Sequence, residues 1–187
     1  MSRFFNHKAS QECSIIIPVY RRYETIKTIL SSLSKQTHVE HIKEIIICDS
    51  EKEDNIMKDV IHRCKLLFKD HKIKHIFVEN NISAKRNAGI NEACAENIIF
   101  IDDDCVPEQD FVINHIKMLE ISSNTIFCGK VEFDEHYLNI SNYIKYRSSR
   151  HTINNLSNLP IEDSPEEVVD FTKIVTINMS CKKQLLL

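Results

Sequence analysis

Glycine is the scarcest structural residue of this chain: Gly89 and Gly129 are the only two among 187 residues. A dinucleotide fingerprint and a phosphate-cradling P-loop each need several glycines in one tight turn, so neither can be built here. A bound nucleotide must be held by other means, such as a cation on its phosphates. The seven cysteines, at 13, 48, 64, 94, 105, 128 and 181, include no C-x-x-C pair. Most lie inside apolar periodic segments and read as buried reduced thiols, with Cys105 the one marked for reactivity. The nine histidines form no H-x-x-x-H zinc pattern on a convincing helix. His71 and His75 are four apart, but in a polar connector where they read as solvated.

Long apolar runs are also missing. Nothing approaches the ~20 apolar residues of a membrane span, and Met1–Glu12 carries no stretch resembling a signal peptide. The net charge is −3, and lysines alternate with acids, so no basic field points to nucleic acid. These absences predict a cytoplasmic protein with no transmembrane segment and leave peripheral membrane contact open. Its length suits one domain, or at most one and a half.

The informative segment that is present runs Ile98-Ile99-Phe100-Ile101-Asp102-Asp103-Asp104. The apolar part reads as a buried parallel strand, which puts three carboxylates at its C-terminal tip, where open α/β sheets bind ligands. Two unit charges about 4 Å apart repel by roughly 4 kcal/mol at an effective dielectric near 20. Three together need water, a proton or a cation. Oxygen-only donors favour Mg²⁺ or Mn²⁺, and a solvated turn is the competing reading.

Strand and helix patterns alternate from residue 13 onward. Cys13–Val19, Glu44–Cys48 and Ile73–Val78 read as strands. Ile26, Ile29, Leu30 and Leu33 give one amphipathic helix, and Met57, Val60, Ile61 and Cys64 a second. Ser83 reads as the N-cap of a helix through Ala95, and Pro107 as the opener of one whose inner face holds Phe111, Val112, His115, Ile116 and Leu119. This order predicts a parallel sheet with right-handed crossovers. Thr125–Phe133 reads as a longer strand, 137–150 as a polar helix or loop, 151–166 as a flexible loop, and Phe171–Ser180 as a final strand.

A parallel sheet collects its strand C-termini on one edge. Here that edge gathers Pro18-Val19-Tyr20-Arg21-Arg22, Asp49-Ser50, the segment Asn80 to Arg86, and Asp102-Asp103-Asp104. An acid able to bind a base or ribose, a basic segment and a metal-ready cluster together suit a nucleoside diphosphate. Taken singly, Asp49 could be a turn residue, and Lys85 and Arg86 a solvated helix face.

Four ordered blocks carry a resemblance: C-S-I-I-I-P-V-Y (13–20), E-I-I-I-C-D-S (44–50), N-I-S-A-K-R-N-A-G-I-N-E-A (81–93) and I-I-F-I-D-D-D-C-V-P (98–107). Over roughly residues 12–135 they are similar to the family 2 glycosyltransferases. The resemblance implies a GT-A fold, a Rossmann-like, mostly parallel α/β sheet flanked by helices. It implies transfer of a sugar from a nucleotide donor, commonly UDP-linked, to an acceptor hydroxyl of a glycan or lipid-linked acceptor. By the same resemblance Asp49, with Ser50, matches the base-recognising acid, and Pro18, Val19 and Tyr20, with Arg22, match the turn lining the nucleotide pocket. Lys85 and Arg86 fall in the basic nucleotide-contacting segment. Asp102 and Asp104 match the outer acids of the D-x-D motif, with Asp104 matching the direct metal ligand and Asp102 beside it, for Mn²⁺ or Mg²⁺, and Asp102 and Asp103 fall on the nucleotide side. Residues 1–135 would form the donor-binding core and 136–187 a partial acceptor-side region.

In inverting members of the family, the general base follows a segment resembling Ile177-Asn178-Met179-Ser180-Cys181-Lys182-Lys183, so it is expected beyond Leu187. Glu162-Asp163 lies before that segment and is not assigned. A chain lacking the base reads alternatively as a non-catalytic or partner-dependent nucleotide-sugar-binding module. A nucleotidyltransferase would want a glycine-rich basic loop after the first strand, which Pro18-Val19-Tyr20-Arg21-Arg22 is not. A receiver-type phospho-acceptor domain fits the four blocks poorly.

Overall fold

A computed structural model describes residues 11–68, 72–133 and 176–187, together with isolated helical positions 138, 142, 143, 145 and 146. Four apolar segments form the parallel part of one sheet: β1 (Cys13–Pro18), β2 (Ile42–Asp49), β3 (Lys72–Phe77) and β4 (Asn97–Ile101). All six residues of β1 and all five of β4 are buried, as expected of strands covered on both faces. Two further strands, β5 (Phe127–Cys128) and β6 (Asn178–Lys182), complete the spatial order β3-β2-β1-β4-β6-β5. β6 runs antiparallel to β4, pairing Asn178 with Ile101 and Lys182 with Asn97. The start of β6 therefore meets the C-terminal end of β4.

Helices cover both faces. Ile26, Ile29, Leu30 and Leu33 of α1 (Tyr23–Leu33) and Met57, Ile61 and Cys64 of α2 (Asn55–Lys65) pack with Ile15, Ile17, Ile45, Ile47, Ile99 and Ile101. Phe111, Val112 and Ile116 of α4 (Phe111–Ile121) join that same cluster. The alternate side chains Ile16, Ile46, Cys48, Ile98 and Phe100 face the other way, against Ile90 of α3 (Ile82–Glu92) and Met179. Period-two alternation thus feeds two cores from one set of strands, each buried Ile contributing about 1.5–3 kcal/mol. α3 approaches so closely that a Cβ on Gly89 would lie 2.5 Å from Ile16 Cγ2. Because β1 lies between β2 and β4, the strand order reverses at the β1–β4 seam, the crevice where such sheets take ligands.

Several boundaries differ from the sequence expectation. α3 is capped by Asn81, whose side chain accepts from the Ser83 and Ala84 amides at 2.9 and 3.0 Å; Ser83 sits inside the first turn. Both residue types cap well, but only Asn81 has the extended backbone that lets its side chain reach back. α3 also ends at Glu92 rather than Ala95. Pro107 does not open α4: the helix starts at Phe111 after Asp110, where the aromatic ring enters the core. Of the strand expected over Thr125–Phe133, only Phe127–Cys128 pairs, because β6 opposes it over just two residues. The final strand is Asn178–Lys182, reaching past the expected end at Ser180, while positions 171–175 of the expected strand lie outside the described residues. The loop over 151–166, Glu162-Asp163 and most of 137–150 lie outside the described residues. Among the described residues, no helix is long and apolar enough to cross a membrane.

Candidate functional site

The sheet delivers β1, β2, β3 and β4 to one edge, and the segments leaving them enclose a cavity of about 300 Å³. Its walls are Pro18, Val19, Tyr20 and Arg22 after β1, Asn80, Ile82 and Lys85 around the start of α3, and Asp102, Asp103 and Asp104 after β4. Most of the residues singled out in the sequence converge here. Asp49, Ser50 and Arg86 stand behind the wall.

The turn after β1 is tied across the seam to the acid loop. The Tyr20 amide donates to Asp103 Oδ2 at 3.3 Å. Arg22 reaches two acids, with Nη1 2.9 Å from Asp104 Oδ2 and Nε 3.5 Å from Asp103 Oδ1. Between them, Arg21 adopts φ 55°, a left-handed conformation unusual for a side chain other than Gly, Asn or Asp. Such strain costs of order 1–3 kcal/mol and persists where surrounding contacts over-determine it. Here the Arg21–Glu51 ion pair at 2.9 Å and the contact of the guanidinium with the Tyr20 ring at 5.1 Å hold it.

Lys85 is a buried cation on the first turns of α3. Its Nζ donates to the Val19 carbonyl at 2.7 Å and to Asn80 Oδ1 at 3.2 Å, and lies 5.3 Å from the Tyr20 ring centre. Burial pulls its pKa below the ordinary lysine value, with Asp49 and Asp103 opposing that shift through their charge. Arg86, one residue on, pairs with Asp102 at 2.7 Å. Its Nε is buried with no hydrogen-bond partner.

The three acids are not equivalent. Asp103 is the most buried, and burial raises its pKa above the usual carboxylate value. Arg22 and the Tyr20 amide pull it back down, and its two acidic neighbours push it up. Asp104 is half exposed, and Asp102 lies between them in exposure. Each carboxylate is met by a cation or an N–H, so the cluster is charge-compensated by Arg22, Arg86 and a backbone amide. The Ile177 carbonyl, just before β6, accepts from the Asp102 amide at 3.3 Å. Cys105 follows the acids, but burial and these carboxylates push its thiol up to about 12. It stays protonated at neutral pH, against the reactivity expected of it, since the thiolate is the reactive form.

Asp49 is fully buried at the end of β2. Its Oδ1 accepts from the Ser50 and Glu51 amides at 2.6 and 3.2 Å, and its Oδ2 lies 3.1 Å from His75 Nε2. His75 is therefore not a solvated connector residue: it sits on β3, packed against Phe77 and aimed at Asp49. Alternation in the short strand K-I-K-H-I-F was the available signal, masked by its two lysines. His115 lies on the inner face of α4, as its spacing predicts, and the polar partners it finds there are not readable from the sequence. Its Nδ1 lies 2.8 Å from Ser180 Oγ and its Nε2 2.7 Å from Asn178 Oδ1, joining α4 to β6.

The family model of glycosyl transferase family 2 matches residues 14–166, a range that holds β2 to β5, all of β1 but its first residue, and every residue lining the cavity. The chain belongs to glycosyl transferase family 2. Among its relatives, glycosyltransferase AglE of Haloferax volcanii is 26% identical over 120 residues, covering 64% of this chain and 39% of AglE. The Escherichia coli protein WfgD, a UDP-Glc:alpha-D-GlcNAc-diphosphoundecaprenol beta-1,3-glucosyltransferase, is 30% identical over 107 residues, covering 56% of this chain and 38% of WfgD. The chain thus spans less than two-fifths of the length of these family 2 relatives. Solved structures share the fold at lower identity. Staphylococcus aureus TarS 1-349 in complex with UDP-GlcNAc aligns with a TM-score of 0.57 at 18% identity, over 66% of this chain and 35% of that one. The mannosyltransferase PcManGT from Pyrobaculum calidifontis, in complex with GDP-Man and Mn²⁺, aligns with 0.55 at 18% identity, over 64% and 36%. The fold is that of the GT-A glycosyltransferases, and the family activity is glycosyl transfer.

Proposed function

We propose that this edge binds a nucleotide-diphosphate sugar, with a UDP-sugar as the donor, for metal-dependent, inverting transfer to a hydroxyl of a glycan or lipid-linked acceptor. The observation that carries the reading is the convergence of Lys85, Arg22 and the three acids around one cavity at the β1–β4 seam. WfgD and the TarS complexes bring UDP donors into view, and PcManGT a GDP donor. Donor binding would occupy residues 1–135, with the acceptor side from 136 onward.

In this reading Pro18, Val19 and Tyr20 line the nucleoside part, and Lys85 supplies a positive wall pinned by the Val19 carbonyl. Arg22 and Arg86, which now neutralise acids, are the nearest further cations for a diphosphate. Asp49, backed by His75 at Oδ2 and with Ser50 beside it at Oδ1, is the acid assigned to the base.

The acid loop suits a hard divalent ion, Mn²⁺ or Mg²⁺, because all its donors are carboxylate oxygens; such an ion takes the place of Arg22 on Asp104 and of Arg86 on Asp102. Asp104, the most exposed, would be the direct ligand, with Asp102 beside it and Asp103 shaping the loop. When bound, such an ion offsets the negative charge that builds on a departing diphosphate. The protein's own contribution is to hold that charge site on a loop fixed by Tyr20 and Ile177.

Saturation-transfer NMR with UDP, GDP and dTDP in the presence of Mn²⁺ tests the donor class. Transfer to the base and ribose protons of UDP is the expected result. Transfer to GDP or dTDP instead would overturn the uridine assignment, and none from any of the three would overturn the site.

A further inference from the structure

The opposite edge of the sheet carries a second group of metal-ligating side chains, which the glycosyl-transfer reading does not use. His38, Glu40 and His41 lie in the connection between α1 and β2, around a 3-10 turn over Val39–His41. The His41 amide donates to the His38 carbonyl at 3.1 Å. A 3-10 turn advances three residues per turn, so residues i and i+3 stand on the same side. The two imidazoles obey that rule, with ring centres 5.5 Å apart and planes 33° from parallel. Glu40 folds toward the same side, its Oε1 3.0 Å from His38 Nδ1. One ligand atom from each of the three residues falls within 4.8 Å of the others, and among the described residues no other such His, Cys, Asp or Glu group occurs.

We infer that His38, Glu40 and His41 form a transition-metal site that takes Zn²⁺, independent of the donor cavity. The donor set decides the metal. Two imidazoles and one carboxylate suit zinc, whereas the oxygen-only acid loop suits Mg²⁺ or Mn²⁺. Zinc bonds of 2.0–2.2 Å put tetrahedral ligand atoms about 3.4 Å apart. Since no pair of these atoms is more than 4.8 Å apart, closing takes at most roughly 1.4 Å, a rotamer adjustment for side chains that solvent reaches. Three protein ligands leave a fourth position for water.

The turn is anchored on both sides, as a preorganised site requires. Before it, Thr37 bonds the Gln109 carbonyl through its amide at 3.0 Å and Asp110 Oδ1 through its hydroxyl at 2.6 Å. Gln36 donates to the Glu108 carbonyl at 2.8 Å and accepts from the Val112 amide at 3.0 Å. After it, Ile42 enters the core fully buried. β2 runs from Ile42 to Asp49, so the two sites are roughly 23 Å apart along the strand.

The test is a competition titration of Zn²⁺ against a chelating indicator, on the full chain stripped of metal and kept reduced. One saturable site is expected. His38→Ala and His41→Ala should each weaken it at least tenfold, while Asp104→Ala and a large excess of Mg²⁺ leave it unchanged. Co²⁺ in place of Zn²⁺ should give a spectrum without a thiolate charge-transfer band. Absence of saturable binding, wild-type affinity in either histidine variant, loss in Asp104→Ala, or a thiolate band assigning the ion to cysteine would each overturn the inference.

Discussion

Arg22 lies across Asp104, its Nη1 2.9 Å from Oδ2. A divalent ion arriving at Asp104 must displace a guanidinium of like sign. Both partners are half exposed, and such pairs are worth about 0.2–1 kcal/mol. Arg22→Gln should therefore raise Mn²⁺ affinity in the absence of nucleotide by up to about fivefold, read from the free-Mn²⁺ resonance signal, while weakening UDP. Unchanged Mn²⁺ affinity would contradict a metal role for Asp104.

Asp49 supports the fold as well as the proposed base contact. It is buried with both oxygens engaged, and hydrogen bonds to a charged group are worth about 1.5–3 kcal/mol each. Asp49→Ala should lower the denaturation midpoint and also weaken uridine, which carries no phosphate. If only diphosphate forms are affected, Asp49 does not meet the base.

His115 gives a pH signature remote from the cavity. Burial lowers its pKa below the ordinary 6.5, with the Asn178 contact opposing. Between that lowered folded value and 6.5 the unfolded chain binds the proton and the folded chain does not, so stability rises with pH. The gain is complete above about 6.5 and is lost as pH falls through the folded value. Urea denaturation from pH 4 to 8 should show this rise in the wild type relative to His115→Gln. Parallel profiles would mean that His115 titrates normally.

The two glycines sit at close approaches. A Cβ on Gly89 would meet Ile16 and Cys48, and one on Gly129 would meet the Asn178 amide. Gly89→Ala should destabilise by about 1–3 kcal/mol through overpacking, against a helix-propensity gain of roughly 0.5–1 kcal/mol. Thermal melts decide the sign, and a stabilised Gly89→Ala would show that α3 can move off the sheet. With only these two glycines, no glycine-rich phosphate loop can form, and cationic side chains are left to serve the cavity.

What was legible in the sequence follows from local chemistry. Apolar runs such as Ile15-Ile16-Ile17 and Ile45-Ile46-Ile47 mark strands buried on both faces, and acids directly after Ile101 mark a strand tip. Once the strands are parallel, Tyr20, Lys85 and Asp103 must share an edge. The pairing of β6 beside β4 was not legible, because antiparallel register between Asn178 and Ile101 depends on contacts 77 positions apart. For the same reason the sequence did not show that His75 backs Asp49 or that Arg22 covers Asp104. Such partners are set by side-chain direction across the seam, which spacing does not encode. Ser83 and Pro107 are good cap and helix-opening residues that stand two residues past the cap Asn81 and four before Phe111, within about one turn of where the backbone turns.

The most direct test is calorimetric titration of UDP into the chain with and without Mn²⁺, beside Asp104→Ala. Saturable binding that strengthens with Mn²⁺ in the wild type and loses that dependence in the variant is the expected result. Binding with the same Mn²⁺ dependence in Asp104→Ala, or no wild-type binding, would contradict a donor site built on the acids at the tip of β4.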